Sequence, residues 1–531
     1  MFLRGKWLTG GLLILCLASP SAPVWALSAE ELLNLMVDEK VISPEKAEKI
    51  KLKARAIEKR EKTQDEAQRA RELNQIKQEA KAEAKAEAIK EAKATVKATV
   101  PEPKWKVYWQ EGLHAETTDG KFKTKVGGRI QWDIASISSP SRRFVDQVSG
   151  AGTGTNRLTG SGTEFRRSRL YIEGTVYQDI FFKAQYDFAG GSVAFKDVFL
   201  GVKNIPYIGH VRVGQMKEPW SLEEQTSSNF ITFMERALPN VFSPERKPGG
   251  MIYNTALDKR LYWAAGVFSN TAITGQDTDA GANSYKNFQN WDFTARLAGT
   301  PWYEDKGARL VFLGFSYKHD FRNDNPAAFT LRYRQRPESH ITGVRTVDTA
   351  AGNIAQIATS GVDLINPEFA LVLGPFSVQG EYTLSLVNAN RNTRENRNLF
   401  LTGSNPSFQG AYVYASYFLT GEHRNYKQDD ACFDRIKPNS NFNIRGGGWG
   451  AWELAARWSY LNLQSKGIWG GVENDFTAGL NWYLTPNTRW MFNYVYANID
   501  KRAVVPRLPS YPENMVSGVA HVAQMRFQVD F

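Results

Sequence analysis

The sequence predicts an all-β transmembrane barrel of about sixteen antiparallel strands with inward-folded loops, preceded by a helical N-terminal segment. Three observations carry that expectation. Many segments of about ten residues alternate apolar and polar side chains, as a strand with lipid on one face and water on the other requires. The connections between those segments alternate between short and long. After residue 26 no stretch is apolar enough for a spanning helix, and a sheet satisfies all its backbone groups in lipid only when it closes. The final segment shows the pattern most plainly: Met525, Phe527, Val529 and Phe531 alternate with Gln524, Arg526, Gln528 and Asp530. One such strand would suit a soluble antiparallel sheet equally well, so the weight rests on the repetition and on the terminal aromatic.

Composition agrees without deciding. Abundant Gly, Trp, Tyr and Phe with a negative mean hydropathy suit a polar lumen inside aromatic girdles. The formal charge of +11 is open to nucleic acid, anionic lipid or small anions as partners, and the placement of the charges must choose. Only two cysteines occur, Cys16 and Cys432, and the first falls in a segment expected to be removed. A disulfide framework is excluded.

Taken in order, residues 1–26 read as a secretory leader: basic Arg4 and Lys6, an apolar run from Leu12 to Leu17, and small residues around Ala26. Leu15 before Cys16 argues against a lipid anchor. An exported, strand-rich chain without a spanning helix is expected in the outer membrane of a Gram-negative cell. Residues 27–100 change character, with Ala, Glu, Lys and Arg dominant and no Gly. Leu32, Leu33, Leu35, Met36 and Ile42 could pack a short helical hairpin with Ile50 and Leu52, after which apolar positions thin to Ile57, Leu73, Ile76 and Ile89. No strict heptad emerges, so a coiled coil, a solvated single helix and a flexible linker all stay open. A continuous helix at ~1.5 Å per residue would reach on the order of 100 Å, enough to space a barrel from the cell wall.

Residues 101–120 form a linker and hairpin, opened by Pro101 and Pro103 and closed by the Asp119-Gly120 turn. Residues 121–531 hold the barrel, with strands expected at 121–137, 164–177, 180–189, 193–203, 209–217, 249–257, 260–269, 290–301, 308–320, 362–373, 375–388, 409–420, 448–463, 473–485, 488–499 and 516–531. Short turns on one rim and long loops on the other place the helical segment and Phe531 on the periplasmic side. One turn, Gly421 to Gly448, is long where it should be short.

Charge parity then assigns the lumen. In 121–134, Phe122, Val126, Ile130, Trp132 and Ile134 share one face and Lys121, Lys123, Lys125, Arg129 and Asp133 the other. A basic side chain facing lipid at mid-depth costs roughly 2–4 kcal/mol, so the charged row faces water. The same argument places Arg167, Arg169, Glu173, Lys183, Gln185, Asp187, Glu453 and Arg457 inside, and leaves Arg166 on the outer face, tolerable only at a rim. Met216 to Gly250 is too apolar for a solvated loop and is expected to fold into the barrel and narrow it. Arg332, Arg334 and Arg336 would fall on one side of an extended backbone at intervals of about 7 Å, a rail suited to bidentate oxyanion binding; a solvated basic loop is the alternative.

At this point the chain resembles the phosphate-selective porin O/P family. The matching blocks are Asp119 to Trp132, Phe165-Arg166-Arg167 with Leu170 to Gly174, Arg212 to Gln215, Thr226-Ser227-Ser228 with Glu235-Arg236, the arginine rail, Ser416 to Glu422, Gly450 to Arg457 and Asn481-Trp482-Tyr483. The resemblance implies a homotrimeric porin whose arginine ladder hands phosphate-like inorganic anions inward, with the long turn near Gly421 folded into the lumen. The implied anion-binding set is Arg332, Arg334, Arg336, Arg166, Arg167, Arg129, Lys121 and Lys125. Where the resemblance implies a constriction lysine, this chain carries Asn229, with Glu223 and Glu224 nearby.

Other classes fit less well. An enzyme on a barrel needs a nucleophile or base beside a partner, yet the six histidines are scattered and no G-x-S-x-G, Walker or zinc-spacing motif occurs. Neither cofactor nor metal is expected. Nucleic-acid binding wants one basic patch, whereas these charges are spread along alternating strands. A weakly selective porin that also tethers the outer membrane to the cell wall through its helical segment is the remaining alternative.

Overall fold

The structure is a computed structural model that describes residues 34, 37, 38, 43–99, 104–140, 158–269, 291–321, 330–349, 357–389, 405–502 and 516–531. The expected leader and most of the expected short helical hairpin (Leu32, Leu33, Leu35, Met36, Ile42) lie outside those residues. Residues 1–102 and 103–531 are separate units. The first contains one long helix, α1 (Pro44–Thr99). Among its described side chains Ile50, Leu52, Leu73, Ile76 and Ile89 are exposed.

The second unit begins with a hairpin, β1 (Trp105–Trp109) and β2 (Leu113–Thr117), paired in turn to β3 (Phe122–Ser138). From β3 the barrel runs through β4 (Gly160–Val176), β5 (Ile180–Asp187), β6 (Ala194–Ile205), β7 (Gly209–Lys217), β8 (Arg246–Ala256), β9 (Leu261–Ser269), β10 (Trp291–Glu304) and β11 (Arg309–Phe321). It continues through β12 (Ile357–Leu373), β13 (Phe376–Ala389), β14 (Ser407–Phe418), β15 (Ala451–Ser465), β16 (Ile468–Thr485), β17 (Thr488–Arg502) and β18 (Val516–Asp530). Each strand pairs antiparallel with the next, and β18 closes on β3 from Asp530↔Arg129 to His521↔Ser138. All sixteen expected strands are present, with bounds moved by five residues at most.

Burial in this wall is inverted relative to a soluble protein. Leu170, Leu200, Val213, Leu297, Leu313 and Phe476 are exposed on the outside, while Gln131, Asp292, Glu453 and Arg526 are fully or almost fully buried inside. An apolar exterior around a complete ring of strands is a lipid face. The rim of tight turns adds an aromatic band: Trp452 and Trp482 stack at 4.9 Å and both donate their indole N–H to the Trp449 carbonyl, at the headgroup level where amphipathic rings settle.

Among the described residues three connections fold inward and fill much of the lumen. Residues 218–245, between β7 and β8, bury Trp220, Leu222, Phe233, Leu238 and Phe242, as expected. Strand side chains fix their backbone: Asn493 accepts from Met234 N, Ser459 accepts from Leu238 N, and Arg489 donates to the Ile231 carbonyl. Residues 330–349, between β11 and β12, follow them in, with Tyr333 packed between Phe242 and Phe408. The long turn 419–450 enters from the opposite rim, where Arg424 lies 3.5 Å over the Phe433 ring and Arg296 donates to the Ala431 carbonyl.

Candidate functional site: a basic cavity in the lumen

Between the inserted segments and β3–β9 lies a cavity of about 660 Å³ lined by thirteen Arg and Lys side chains against seven Asp and Glu. Seven of the thirteen cations pair with a carboxylate. Arg169 pairs with Asp187 at 2.6 Å, Arg246 with Asp197 at 2.8 Å, Lys183 with Glu173 at 2.7 Å and Lys427 with Asp430 at 2.6 Å. Lys217 and Arg236 share Glu224, and Arg166 forks onto Glu235. Five more, Arg129, Arg167, Lys196, Arg212 and Arg336, form no ion pair among the described residues.

Their remaining partners are neutral. Arg129 donates to the Ser228 hydroxyl at 2.7 Å and the Ser227 hydroxyl at 3.3 Å, and Arg167 donates to the Gln131 side-chain oxygen at 2.8 Å. Arg212 stacks 4.6 Å from the Tyr253 ring. The Nε atoms of Arg129, Arg167, Arg212 and Arg336 are buried without a hydrogen-bond acceptor. A guanidinium with donors to spare in a narrow, low-dielectric lumen attracts anions strongly, since a unit charge pair at 4 Å is worth roughly 4 kcal/mol at an effective dielectric of 20. Burial and the neighbouring Arg166 guanidinium lower Arg336 from its ordinary value.

The eight residues singled out from the sequence divide evenly. Arg129, Arg166, Arg167 and Arg336 line the cavity; Arg332, Arg334, Lys121 and Lys125 do not. Arg166 corrects the parity argument. Gln131 pairs with Arg167 and Trp132 with Phe165, so Arg166 is the extra residue of a β-bulge, and the bulge turns two consecutive arginines toward the lumen. Phe165 keeps the outer face, 60% exposed. The three arginines of the rail do not share one environment as their spacing suggested. Arg332 forks onto the buried Asp348 carboxylate, Arg334 is exposed, and only Arg336 reaches the cavity. Lys121 is exposed in the hairpin turn, 3.1 Å from Asp119, and Lys125 is half-buried on β3 opposite His114.

Lys196 and Arg212 were missed. Lys196 and Asp197 both line the cavity because Ala184 pairs with Val198 and Tyr186 with Phe195, a second bulge that strict alternation hides. Arg212 follows ordinary alternation on β7 and was legible. Among the described residues no group of three His, Cys, Asp or Glu is placed to hold a metal ion.

The family model described as phosphate-selective porin O and P matches residues 125–531. The chain belongs to the phosphate-selective porin O and P family. This porin is 27% identical to Porin O of Pseudomonas aeruginosa over 423 residues, which is 73% of this chain and 86% of the relative. Among solved structures it is similar to OmpT, an outer membrane protein of Vibrio cholerae, with a TM-score of 0.45 and 10% identity over 77% of this chain and 98% of that one. It is also similar to the outer membrane channel DcaP of Acinetobacter baumannii, with a TM-score of 0.43 and 12% identity over 78% and 99%. Family membership and the lipid-facing wall together make this an outer-membrane porin.

Proposed function

We propose that this porin carries small anions passively across the outer membrane and retains phosphate-like oxyanions longest. The single observation that carries the reading is the set of lumen arginines without carboxylate partners, Arg129, Arg167 and Arg336. Their planar forks suit a tetrahedral oxyanion better than a spherical halide. Conduction also requires release, and several moderate sites in series meet that need where one deep site would hold its ion. Nothing in this step consumes energy. The reading includes a homotrimer, as the family resemblance implies, with the rim of tight turns and Phe531 facing the periplasm.

The test is electrical. In planar bilayers, Arg129→Ala/Arg167→Ala/Arg336→Ala should weaken phosphate block of the chloride current by at least about tenfold and move the zero-current potential toward cation preference; each tenfold corresponds to about 1.4 kcal/mol. Block identical to the parent protein would remove these arginines from the mechanism.

A further inference from the structure

Seven carboxylates line the cavity, and one of them is held by two guanidiniums. Glu235, on the inserted segment 218–245, receives two parallel hydrogen bonds from Arg166, at 2.8 and 3.0 Å, and a third from Arg526 Nη2 at 2.9 Å. Arg457 holds its backbone carbonyl at 3.0 Å. Three N–H donors from two guanidiniums converge on two oxygens, which is the geometry an arginine pair offers to phosphate. Burial disfavours the charged carboxyl, yet Arg166, Arg526 and Arg167 hold Glu235 well below the usual carboxylate range.

The two arginines depend on Glu235 unequally. Arg526 keeps a second fork on Asp133, 2.7 Å to each oxygen, and so remains paired if Glu235 is neutralised. Arg166 has no other carboxylate in hydrogen-bond reach among the described residues. Because of the bulge in β4, a released Arg166 would stand in the same cavity as its neighbour Arg167, which is already unpaired.

We infer that Glu235 is a specificity-determining residue: a tethered internal anion that occupies Arg166, competes with phosphate for it and keeps the pore weakly binding and fast. The inference rests on the anion-conducting reading above and adds a residue that opposes it. A porin that must pass a multivalent oxyanion needs its strongest cluster partly neutralised, and a carboxylate fixed to the loop does this at every salt concentration, unlike a mobile counter-ion.

The experiment is a two-residue cycle in planar bilayers on the full-length protein, with Glu235→Gln, Arg166→Ala and the double variant. Phosphate block of chloride current and the zero-current potential are read for each, and each variant is first shown to be folded by its heat-modifiable gel mobility. Glu235→Gln should lower the half-blocking phosphate concentration about tenfold and raise anion preference; Arg166→Ala, which leaves the carboxylate held by Arg526 alone, should shift both the other way; the double should fall between them. If both single substitutions weaken block, Glu235 serves only to hold the loop and the inference is overturned. If Glu235→Gln leaves block unchanged while the parent protein is anion-selective, the competitor role fails and the proposed function survives. A parent protein without anion preference would fail both.

Discussion

Two kinds of charge occupy the inside of this barrel, and they do different work. Away from the cavity many of the lumen charges are matched and sealed: Arg296 with Glu368, both fully buried; Arg526 with Asp133; and Lys318 among Glu218, Asp292 and Asp320. Along β3, β4 and the cavity edge of 330–349, Arg129, Arg167 and Arg336 are left with neutral partners and spare donors. The matched groups hold inserted segments to the wall; Arg296, for instance, donates both to Glu368 and to the Ala431 carbonyl of the inward turn. On the proposed function, the unmatched groups that line the cavity are the ones an arriving ion can use. Net charge alone would not separate the two populations, because both are rich in arginine.

The largest break in this comparison comes from the matched side. Glu368→Ala leaves the Arg296 guanidinium buried without its carboxylate, and removal of one partner from a buried pair costs roughly 3–5 kcal/mol. Ser316, which donates to the same Glu368 carboxylate at 2.6 Å, loses its acceptor as well. Denaturant unfolding of the refolded barrel should show a clearly lower midpoint, with phosphate block in the surviving channels close to that of the parent. A large loss of block at unchanged stability would mean that the matched charges also contact ions, and the division would fail.

How much of this was readable beforehand follows the same line. Where a ladder enforces strict alternation, residue types alone told inside from outside: Ile130 and Trp132 against Arg129 and Asp133, or Arg457 on the buried face of β15. The apolar content of 218–245 announced a segment that could not remain in water. What failed were positions set by one extra residue or by long-range bonds. The bulge at Arg166 shifts parity by one and leaves no trace in composition. The path of 330–349 is fixed by groups far away in sequence, such as Gln524 donating to the Glu338 carbonyl and Glu473 accepting from Thr346. Evenly spaced arginines therefore looked like a rail although their side chains meet different partners.

That difference can be sharpened within the three spaced arginines themselves. Arg336→Ala removes a cavity cation without an ion pair, whereas Arg332→Ala removes one forked onto buried Asp348. The first should weaken phosphate block by about tenfold, roughly 1.4 kcal/mol, with little change in stability. The second should act mainly on stability, because Asp348 is left buried without its charged partner. Equal effects on block would show that Arg332 also meets the passing ion.

The smallest effect expected is a pH dependence at Glu223, on the short helix α2 (Leu222–Gln225) of the inserted segment. Burial, reinforced by the Glu381 carboxylate, pushes this carboxyl up to about 7 despite Arg457 and Arg236, and its oxygens accept from Ala237 N. A folded-state value above the ordinary carboxylate range means that the fold favours the neutral acid. The associated stability is therefore present in acid and is lost as pH rises through about 7. Charge moves in the same window: below it Glu223 is neutral and the lumen gains a net positive charge, above it the carboxylate returns. Anion preference, read from zero-current potentials, should rise by about twofold between pH 8 and pH 6, a modest change because Glu223 lies behind the cavity wall and salt screens what reaches the pore. Glu223→Gln should flatten that dependence while leaving Arg129, Arg167 and Arg336 in place; a slope that survives the substitution would remove Glu223 as its source.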